Sequence, residues 1–222
     1  MTDKRVSTGS EALDALLGGG LERRILTQVY GEPGSGKSTI CTIVAVSVLR
    51  SGKDVIFFDT EGFSVERFRQ IAGEDAEKLA ENLYIYEPMD FEQQGILIAE
   101  SETLLRSGTV GAIIMDSATA LYRTELGFSR DTQRKLAKQM VHLLGLSKKY
   151  DIPALLTNQV YMDVDTDEYR GLGGTVLSHL SKAVVRLEKR NGFRRAVLEK
   201  HRSLPEGDYF DFVIVREGIS RV

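Results

Sequence analysis

The feature that most constrains this chain is the run of residues 31–38, which fits the pattern G-x-x-x-x-G-K-S. Glycines allow a loop to turn its backbone N–H groups inward around a phosphate. A lysine at this point reaches the β- and γ-phosphates of a nucleotide, and the next hydroxyl reaches Mg²⁺. The motif therefore predicts a P-loop that binds ATP and Mg²⁺. The predicted nucleotide-binding residues are Gly31, Glu32, Pro33, Gly34, Ser35, Gly36, Lys37, Ser38 and Thr39.

The segments on either side of this loop favour the same interpretation. Residues 26–30 form an apolar run that is typical of a short buried strand, and residues 37–49 carry apolar side chains at helical spacing. A P-loop requires that order of strand, loop and helix. A glycine-rich surface turn is the alternative interpretation, and this context disfavours it.

Composition limits the class of protein. A chain of 222 residues fits one domain, residues 1–222, and its 42% of hydrophobic residues can fill a core. The net charge of −3 does not indicate a nucleic-acid binder by bulk charge. Cys41 is the only cysteine, which excludes an internal disulfide and a cysteine-based metal site. The first ten residues lack the apolar core of a signal peptide, and no apolar run is long enough to span a bilayer, so we expect a cytoplasmic protein without a membrane partner.

Apolar runs alternate with helical stretches through the middle of the chain. The further predicted parallel strands are residues 55–58, 83–86, 112–115 and 154–156. The predicted helices between them are residues 65–80, 90–106 and 131–150. This alternation predicts an α/β fold whose mostly parallel central sheet is flanked by helices.

The C-terminal part changes character. Residues 183–187, 193–198 and 209–215 are predicted antiparallel strands, and Asn191-Gly192 is a hairpin turn between the first two. Lysine and arginine outnumber acidic residues between positions 182 and 202. This basic stretch predicts a surface that contacts phosphates. The alternative is a set of exposed strands that charged side chains protect from aggregation.

Polar residues follow several of the predicted parallel strands. Because the carboxyl ends of such strands meet at one edge of the sheet, we expect Lys37, Glu61, Asp116 and Gln159 to line one crevice. Asp116 ends an apolar strand, as in a Walker B motif, and would hold Mg²⁺ together with Ser38. Glu61 would orient or deprotonate the attacking water. The alternatives are a turn-capping aspartate and a solvated loop glutamate.

Two segments, residues 119–130 and 161–174, are predicted as mobile loops that contain aromatic residues and arginines. Such side chains suit stacking on single-stranded bases. The second segment is also acidic, which opposes DNA binding, and for both segments a solvated loop is the alternative. The candidate DNA contacts in these loops and in the basic stretch are Arg123, Arg130, Arg170, Lys182, Arg190, Arg194 and Arg195.

The set of motifs resembles the ATPase core of the RecA/RadA recombinase family, and most closely its archaeal RadB group of short RadA paralogues. The matching segments span nearly the whole chain: residues 7–20, 59–62, 116–123, 157–160, 173–179 and 204–207. The resemblance implies a RecA-like fold with ATP and Mg²⁺ as cofactors. It also implies that Gln159 senses the γ-phosphate, that Arg67 lies against adenine, and that Lys200 and Arg202 reach the phosphate of a neighbouring subunit.

The chain departs from RadA in three respects. We find no helix-hairpin-helix domain and no phenylalanine-containing linker before the P-loop core, and the second loop is short and acidic. A filament is therefore not expected, although a homo-oligomer is possible. The resemblance implies DNA as a partner, single-stranded or branched rather than plain duplex, and a second recombination protein such as RadA or a junction nuclease.

These observations predict a weak, DNA-associated ATPase that assists DNA repair by homologous recombination without strand exchange of its own. Two alternatives remain open. One is a signalling ATPase similar to KaiC, which shares the fold and the P-loop. The other is a recombination mediator that uses ATP only as a structural ligand.

Overall fold

The computed structural model describes residues 5–125, 130–163, 168–171 and 174–222. The strands are β1 (Arg5–Val6), β2 (Leu21–Glu22), β3 (Leu26–Gly31), β4 (Asp54–Asp59), β5 (Leu83–Tyr86), β6 (Val110–Asp116), β7 (Ala154–Asn158), β8 (Val160–Asp163), β9 (Glu168–Gly171), β10 (Ser181–Lys189), β11 (Arg194–His201), β12 (Tyr209–Val215) and β13 (Gly218–Arg221). The helices are α1 (Glu11–Leu16), α2 (Lys37–Arg50), α3 (Val65–Ala72), α4 (Ala76–Ala80), α5 (Phe91–Glu100), α6 (Glu102–Leu105), α7 (Ala120–Thr124), α8 (Arg130–Lys149) and α9 (Gly174–Leu180).

A nine-stranded sheet organises the fold, in the order β13-β12-β11-β10-β3-β7-β6-β4-β5. The pairs from β10 to β5 are all parallel, and β10, β11, β12 and β13 pair antiparallel. The predicted fold class, a mostly parallel RecA-like sheet with antiparallel C-terminal strands, is therefore confirmed. None of the helices in the described ranges is both long and apolar enough to cross a membrane.

Two hydrophobic clusters cover the two faces of the sheet. On one face α2 lies between the sheet and α3, and most of its residues are buried, which explains its nearly continuous apolar run. The C-terminal strands add Phe210 and Phe212 to the same cluster. On the other face α5 and α8 pack over β6 and β7.

Two predicted helices are each divided in the structure. The helix predicted at residues 65–80 breaks where Gly73 adopts a left-handed φ of 63°, and a 3-10 turn (Gly73–Asp75) precedes α4. The helix predicted at residues 90–106 is interrupted at Ser101, whose hydroxyl donates to the carbonyl of Ile98. In the sequence the apolar spacing continues across both breaks, so it did not predict that either helix is divided.

The strand order decides where the functional residues meet. Strands β6 and β7 lie between β3 and β4, and all four run in the same direction. Their carboxyl ends therefore bring the P-loop, Asp59, Asp116 and Asn158 to one edge of the sheet.

Candidate functional site

The P-loop joins β3 to α2 in a backbone conformation that suits an anion. Gly34 and Gly36 have φ values of 74° and 108°, in the region that favours glycine. Gly36 is the N-cap of α2 and offers no side-chain hydrogen bond to the helix. The first amides of α2, together with the positive end of its dipole, are thus available to a phosphate.

Lys37 is held inside this loop. Its Nζ lies 2.8 Å from the carbonyl oxygen of Gly31 and 3.0 Å from that of Glu32, and only 8% of the residue is exposed. Burial lowers the pKa of Lys37, and the carboxylates of Glu61 and Asp116 act in the opposite direction. The ammonium group is therefore oriented by neutral carbonyls at the position where a P-loop lysine meets an anionic ligand.

Ser38 and Asp116, the two predicted metal ligands, lie next to each other. The Ser38 side chain hydrogen-bonds to the Asp116 carboxylate, and the hydroxyl of Thr157 donates to Asp116 Oδ1. Asp116 is 5% exposed, and burial raises its pKa while the two hydrogen bonds lower it. A hydroxyl beside a carboxylate supplies the hard oxygen ligands that Mg²⁺ prefers. Over the described ranges no cluster of three or more His, Cys, Asp or Glu residues could hold a metal, so the remaining ligands of Mg²⁺ would be phosphate oxygens and water.

An orphaned polar atom in the loop also fits a bound nucleotide. Ser35 is fully buried, and its Oγ has no hydrogen-bond partner within the described part of the chain. A buried hydroxyl without a partner is costly, so a ligand or water that satisfies it stabilises the loop. The free amides, the oriented lysine, the serine–aspartate pair and this hydroxyl together fit ATP with Mg²⁺.

Glu61 lies in a loop that Asp59 holds in place. The Asp59 carboxylate accepts hydrogen bonds from the backbone N–H groups of Glu61 (3.2 Å), Gly62 (2.9 Å) and Phe63 (2.5 Å). Thr60 connects the same loop to β6, because its hydroxyl donates to the carbonyl of Ser117 and accepts from the Ser117 N–H. Sequence reasoning missed the role of Asp59, although an aspartate two residues before a glycine-containing turn is a known signal for such a turn.

Gln159 and Glu61 meet directly. Gln159 Nε2 donates to Glu61 Oε1 at 2.7 Å, and the other amide atom, Oε1, is buried without a partner within the described residues. The structure thus brings Lys37, Glu61, Asp116 and Gln159 together in one crevice at the edge of the sheet. Their catalytic roles stay predictions.

Arg67 lies beside this crevice. Its guanidinium donates to the carbonyl oxygens of Val215, Arg216 and Gly218 at 2.8–3.0 Å, which lie in or directly beside the turn between β12 and β13. A cavity of about 70 Å³ extends from Ser38 to Arg67. Because the N–H groups of the guanidinium are bonded to the turn, an adenine base would contact the planar face of the guanidinium.

The candidate DNA contacts on the C-terminal strands are mostly engaged within the chain. Arg190 forms an ion pair with Glu188. Arg195 forms a bidentate pair with Asp211, with distances of 2.8 and 2.9 Å. Four of the eight basic residues between positions 182 and 202 thus form ion pairs with carboxylates, as expected for strands with protective charges. Lys182 is exposed, and its Nζ donates to the carbonyl of His179 at 3.2 Å.

The other candidate contacts lie near the two predicted loops. Arg123 is an exposed residue of α7, a short helix in a segment that was predicted as a loop. Arg130 is the exposed first residue of α8. The second predicted loop contains the antiparallel hairpin β8–β9, so this part of the prediction is also corrected. Arg170 lies in β9, and residues 126–129, 164–167 and 172–173 fall outside the described part of the chain.

Lys200 and Arg202 also have partners within the chain. Lys200 Nζ lies 2.5 Å from the carbonyl oxygen of Ser178, and burial lowers its pKa, as does the nearby Lys182. Arg202 forms an ion pair with Glu22 of β2. Their predicted contact with a neighbouring subunit would require these partners to be exchanged.

Arg130 was predicted as a DNA contact, but sequence reasoning missed that Arg134 and Lys138 continue it as a basic stripe on α8. The three side chains are exposed, and in the part of the chain that the structure describes none of them forms an ion pair. By contrast, Lys135 pairs with Glu92 at 2.9 Å. The spacing of four residues, which places all three cations on one face of the helix, was the available signal.

The strand order, the P-loop after β3 and the aspartate at the end of β6 define the class as RecA-like P-loop proteins. Residues 3–222 match the family model described as Rad51. The chain is 62% identical to the DNA repair and recombination protein RadB of Methanoculleus marisnigri, over 100% of both chains. It is 44% identical to the RadB of Methanococcoides burtonii, over 97% of both chains, and 44% identical to that of Archaeoglobus fulgidus, over 96% of this chain and 97% of the relative.

The chain therefore belongs to the Rad51 family, within its archaeal RadB branch. The predicted resemblance is confirmed by these matches.

Proposed function

We propose that this protein binds ATP with Mg²⁺, hydrolyses ATP slowly, binds DNA, and assists homologous recombination without strand exchange of its own. The observation that carries the proposal is the 2.7 Å hydrogen bond between Gln159 and Glu61. It joins the residue expected to act on water to the residue directly before β8. The names of the RadB relatives, DNA repair and recombination proteins, support the cellular role.

Each residue of the crevice has a distinct task in this proposal. Bound ATP supplies the phosphoanhydride bond, and Mg²⁺ neutralises part of its charge. Lys37 and the first amides of α2 bind phosphate oxygens, while Ser38 and Asp116 hold the metal. Glu61 orients the attacking water and accepts its proton.

Nucleotide state is coupled to DNA contact through Gln159. A γ-phosphate within reach of the Gln159 amide competes for the hydrogen bond that the amide now makes to Glu61. Since β8 begins at Val160, a change in this bond moves the start of the β8–β9 hairpin. We expect DNA affinity to differ between the ATP-bound and the nucleotide-free protein.

The stripe on α8 is the proposed DNA contact. Cations without a carboxylate partner release counterions when they bind phosphates, whereas paired cations first have to break an ion pair. Among the residues that the structure describes, Arg130, Arg134 and Lys138 meet this condition, and Arg190 and Arg195 do not. We propose RadA or a junction nuclease as the partner protein. A homo-oligomer is proposed only because Lys200 and Arg202 would need one in order to contact a neighbouring subunit.

A salt series tests the proposal. Binding to single-stranded, duplex and branched DNA is measured with and without ATP and Mg²⁺, and log affinity should fall linearly with log salt. The double variant Arg134→Ala/Lys138→Ala is expected to reduce the slope by about two, one for each lost phosphate contact. The double variant Lys135→Ala/Lys149→Ala is the matched control, because it removes the same charge from the same helix at positions that are already paired with glutamates.

The outcomes separate the alternatives. An equal loss of slope in both double variants would place the DNA elsewhere. No binding of wild-type protein to any DNA at low salt, together with autophosphorylation, would favour the signalling ATPase. Identical DNA affinity in all nucleotide states would remove the proposed coupling through Gln159.

A further inference from the structure

Arg194 and Arg195 are adjacent in β11 but lie on opposite faces of the sheet. Ala196 and Leu198, which share the face of Arg194, belong to the core on the α2 side. Arg195 points to the other face, where it forms an ion pair with Asp211. Its Cζ also stacks on the Tyr209 ring, 3.9 Å from the ring centroid. Two arginines that are neighbours in the sequence therefore serve different surfaces.

Arg194 contacts the P-loop. Its Nε donates to the carbonyl oxygen of Gly34 at 3.1 Å. The N–H of Ser35, which belongs to the same peptide unit, donates to the carbonyl of Glu32 at 3.1 Å. Both ends of this peptide unit in the middle of the loop are thus fixed by hydrogen bonds, one of them supplied by β11.

The charge of Arg194 is not matched by a carboxylate within the described residues. The other arginines of β10, β11 and their connections form ion pairs, namely Arg186 with Glu188 and Glu199, Arg190 with Glu188, Arg195 with Asp211, and Arg202 with Glu22. A guanidinium that bonds to a neutral carbonyl keeps its full charge, and charge-assisted bonds to phosphate are about twice as strong as neutral ones.

The contact is part of a wall that the C-terminal strands build behind the loop. A Cβ added to Gly31 would lie 2.3 Å from the carbonyl oxygen of Leu187, and one added to Gly36 would lie 3.5 Å from Phe212 and from Ile214. These close contacts are backbone or apolar. Arg194 supplies the charged contact in the same wall.

We propose that Arg194 is a positioning residue of the nucleotide site, which fixes the Gly34–Ser35 peptide unit and raises the affinity of the loop for a polyphosphate. This inference rests on the proposed nucleotide binding and moves to that site an arginine that the sequence predicted as a DNA contact. Arg194 acts through the P-loop backbone and through its positive charge near the bound phosphates.

Equilibrium binding of ADP and of an unhydrolysable ATP analogue with Mg²⁺ tests the inference on the full chain. Arg194→Ala is expected to raise both dissociation constants about tenfold. The variant loses the hydrogen bond from the guanidinium to Gly34 and the attraction between its positive charge and the phosphates. Arg194→Lys keeps the charge and should recover most of the affinity. Arg195→Ala is the matched control and should bind nucleotide like the wild type.

Thermal unfolding distinguishes positioning from a purely structural role. The melting temperature of Arg194→Ala without nucleotide should match the wild type, while its increase on adding nucleotide should be smaller. A lower melting temperature without nucleotide, combined with equal losses of affinity in the Ala and Lys variants, would overturn the inference.

Two further outcomes are separable. Failure of the wild type to bind nucleotide would contradict the proposed function itself. If the wild type binds and Arg194→Ala binds equally well, only the present inference is wrong. DNA binding without nucleotide provides the last check, because a salt slope reduced by about one in Arg194→Ala would assign this residue to a DNA phosphate.

Discussion

Lys37→Ala is expected to weaken nucleotide binding by about two orders of magnitude, because it removes the charged donor that reaches the phosphates. Lys37 is buried, and within the described residues its ammonium group donates to the P-loop carbonyls of Gly31 and Glu32. Burial lowers the pKa of Lys37, so the folded protein without nucleotide gains little from this charge. We therefore expect the loss in binding to appear without a loss of stability.

Calorimetric titration with ADP and Mg²⁺ measures this effect, and thermal unfolding without nucleotide measures stability. Lys53→Ala is a suitable control, since Lys53 is exposed just before β4, at the end of that strand away from the crevice. Nucleotide affinity unchanged in Lys37→Ala would show that the loop does not bind phosphate through this side chain. A large drop in melting temperature without nucleotide would instead make Lys37 a structural residue.

Glu61→Gln is expected to slow ATP hydrolysis by about a hundredfold or more while ATP affinity is retained, because the amide cannot accept the proton of the attacking water. Glutamine keeps a carbonyl oxygen that can accept the hydrogen bond from Gln159, so the geometry of the crevice should persist. Single-turnover hydrolysis and equilibrium ATP binding measure the two quantities separately.

Glu66→Gln makes the same chemical change on the exposed side of α3 and is the matched control. Equal hydrolysis by Glu61→Gln and wild type would exclude Glu61 as the group that acts on water. If the wild type binds ATP but does not hydrolyse it, the recombination mediator that uses ATP as a structural ligand becomes the better description. In that case Glu61→Gln should leave the cellular role intact and Lys37→Ala should abolish it.

The crevice could be predicted from the sequence because it depends on short-range patterns and one rule of topology. The P-loop, the strand before it and the helix after it are contiguous, and Asp116 directly follows the apolar residues of β6. The carboxyl ends of parallel strands share an edge, which placed Glu61 and Gln159 beside Lys37 without any knowledge of strand order.

The pairing of charges could not be predicted in the same way. Arg195 meets Asp211 because β11 and β12 pair in a register that places these two residues opposite each other. Arg67 meets the turn after β12 only once β13 has packed against α2. A count of basic residues between positions 182 and 202 contains no register, so it does not show which of them form ion pairs, and the DNA surface in this stretch stays a prediction.

The wall behind the P-loop has a consequence for synthesis of the protein. β3 pairs with β10, and Phe212 and Ile214 lie against Gly36, so the loop is completed by segments that leave the ribosome well after it. A nascent chain that ends before β10 lacks the neighbour of β3 on that side and leaves this strand edge and its apolar residues uncovered. Contacts between such distant segments form slowly, so competence to bind nucleotide should arise only after β10 and β12 have been synthesised and have paired. Nucleotide can then stabilise completed molecules and not their unfinished precursors.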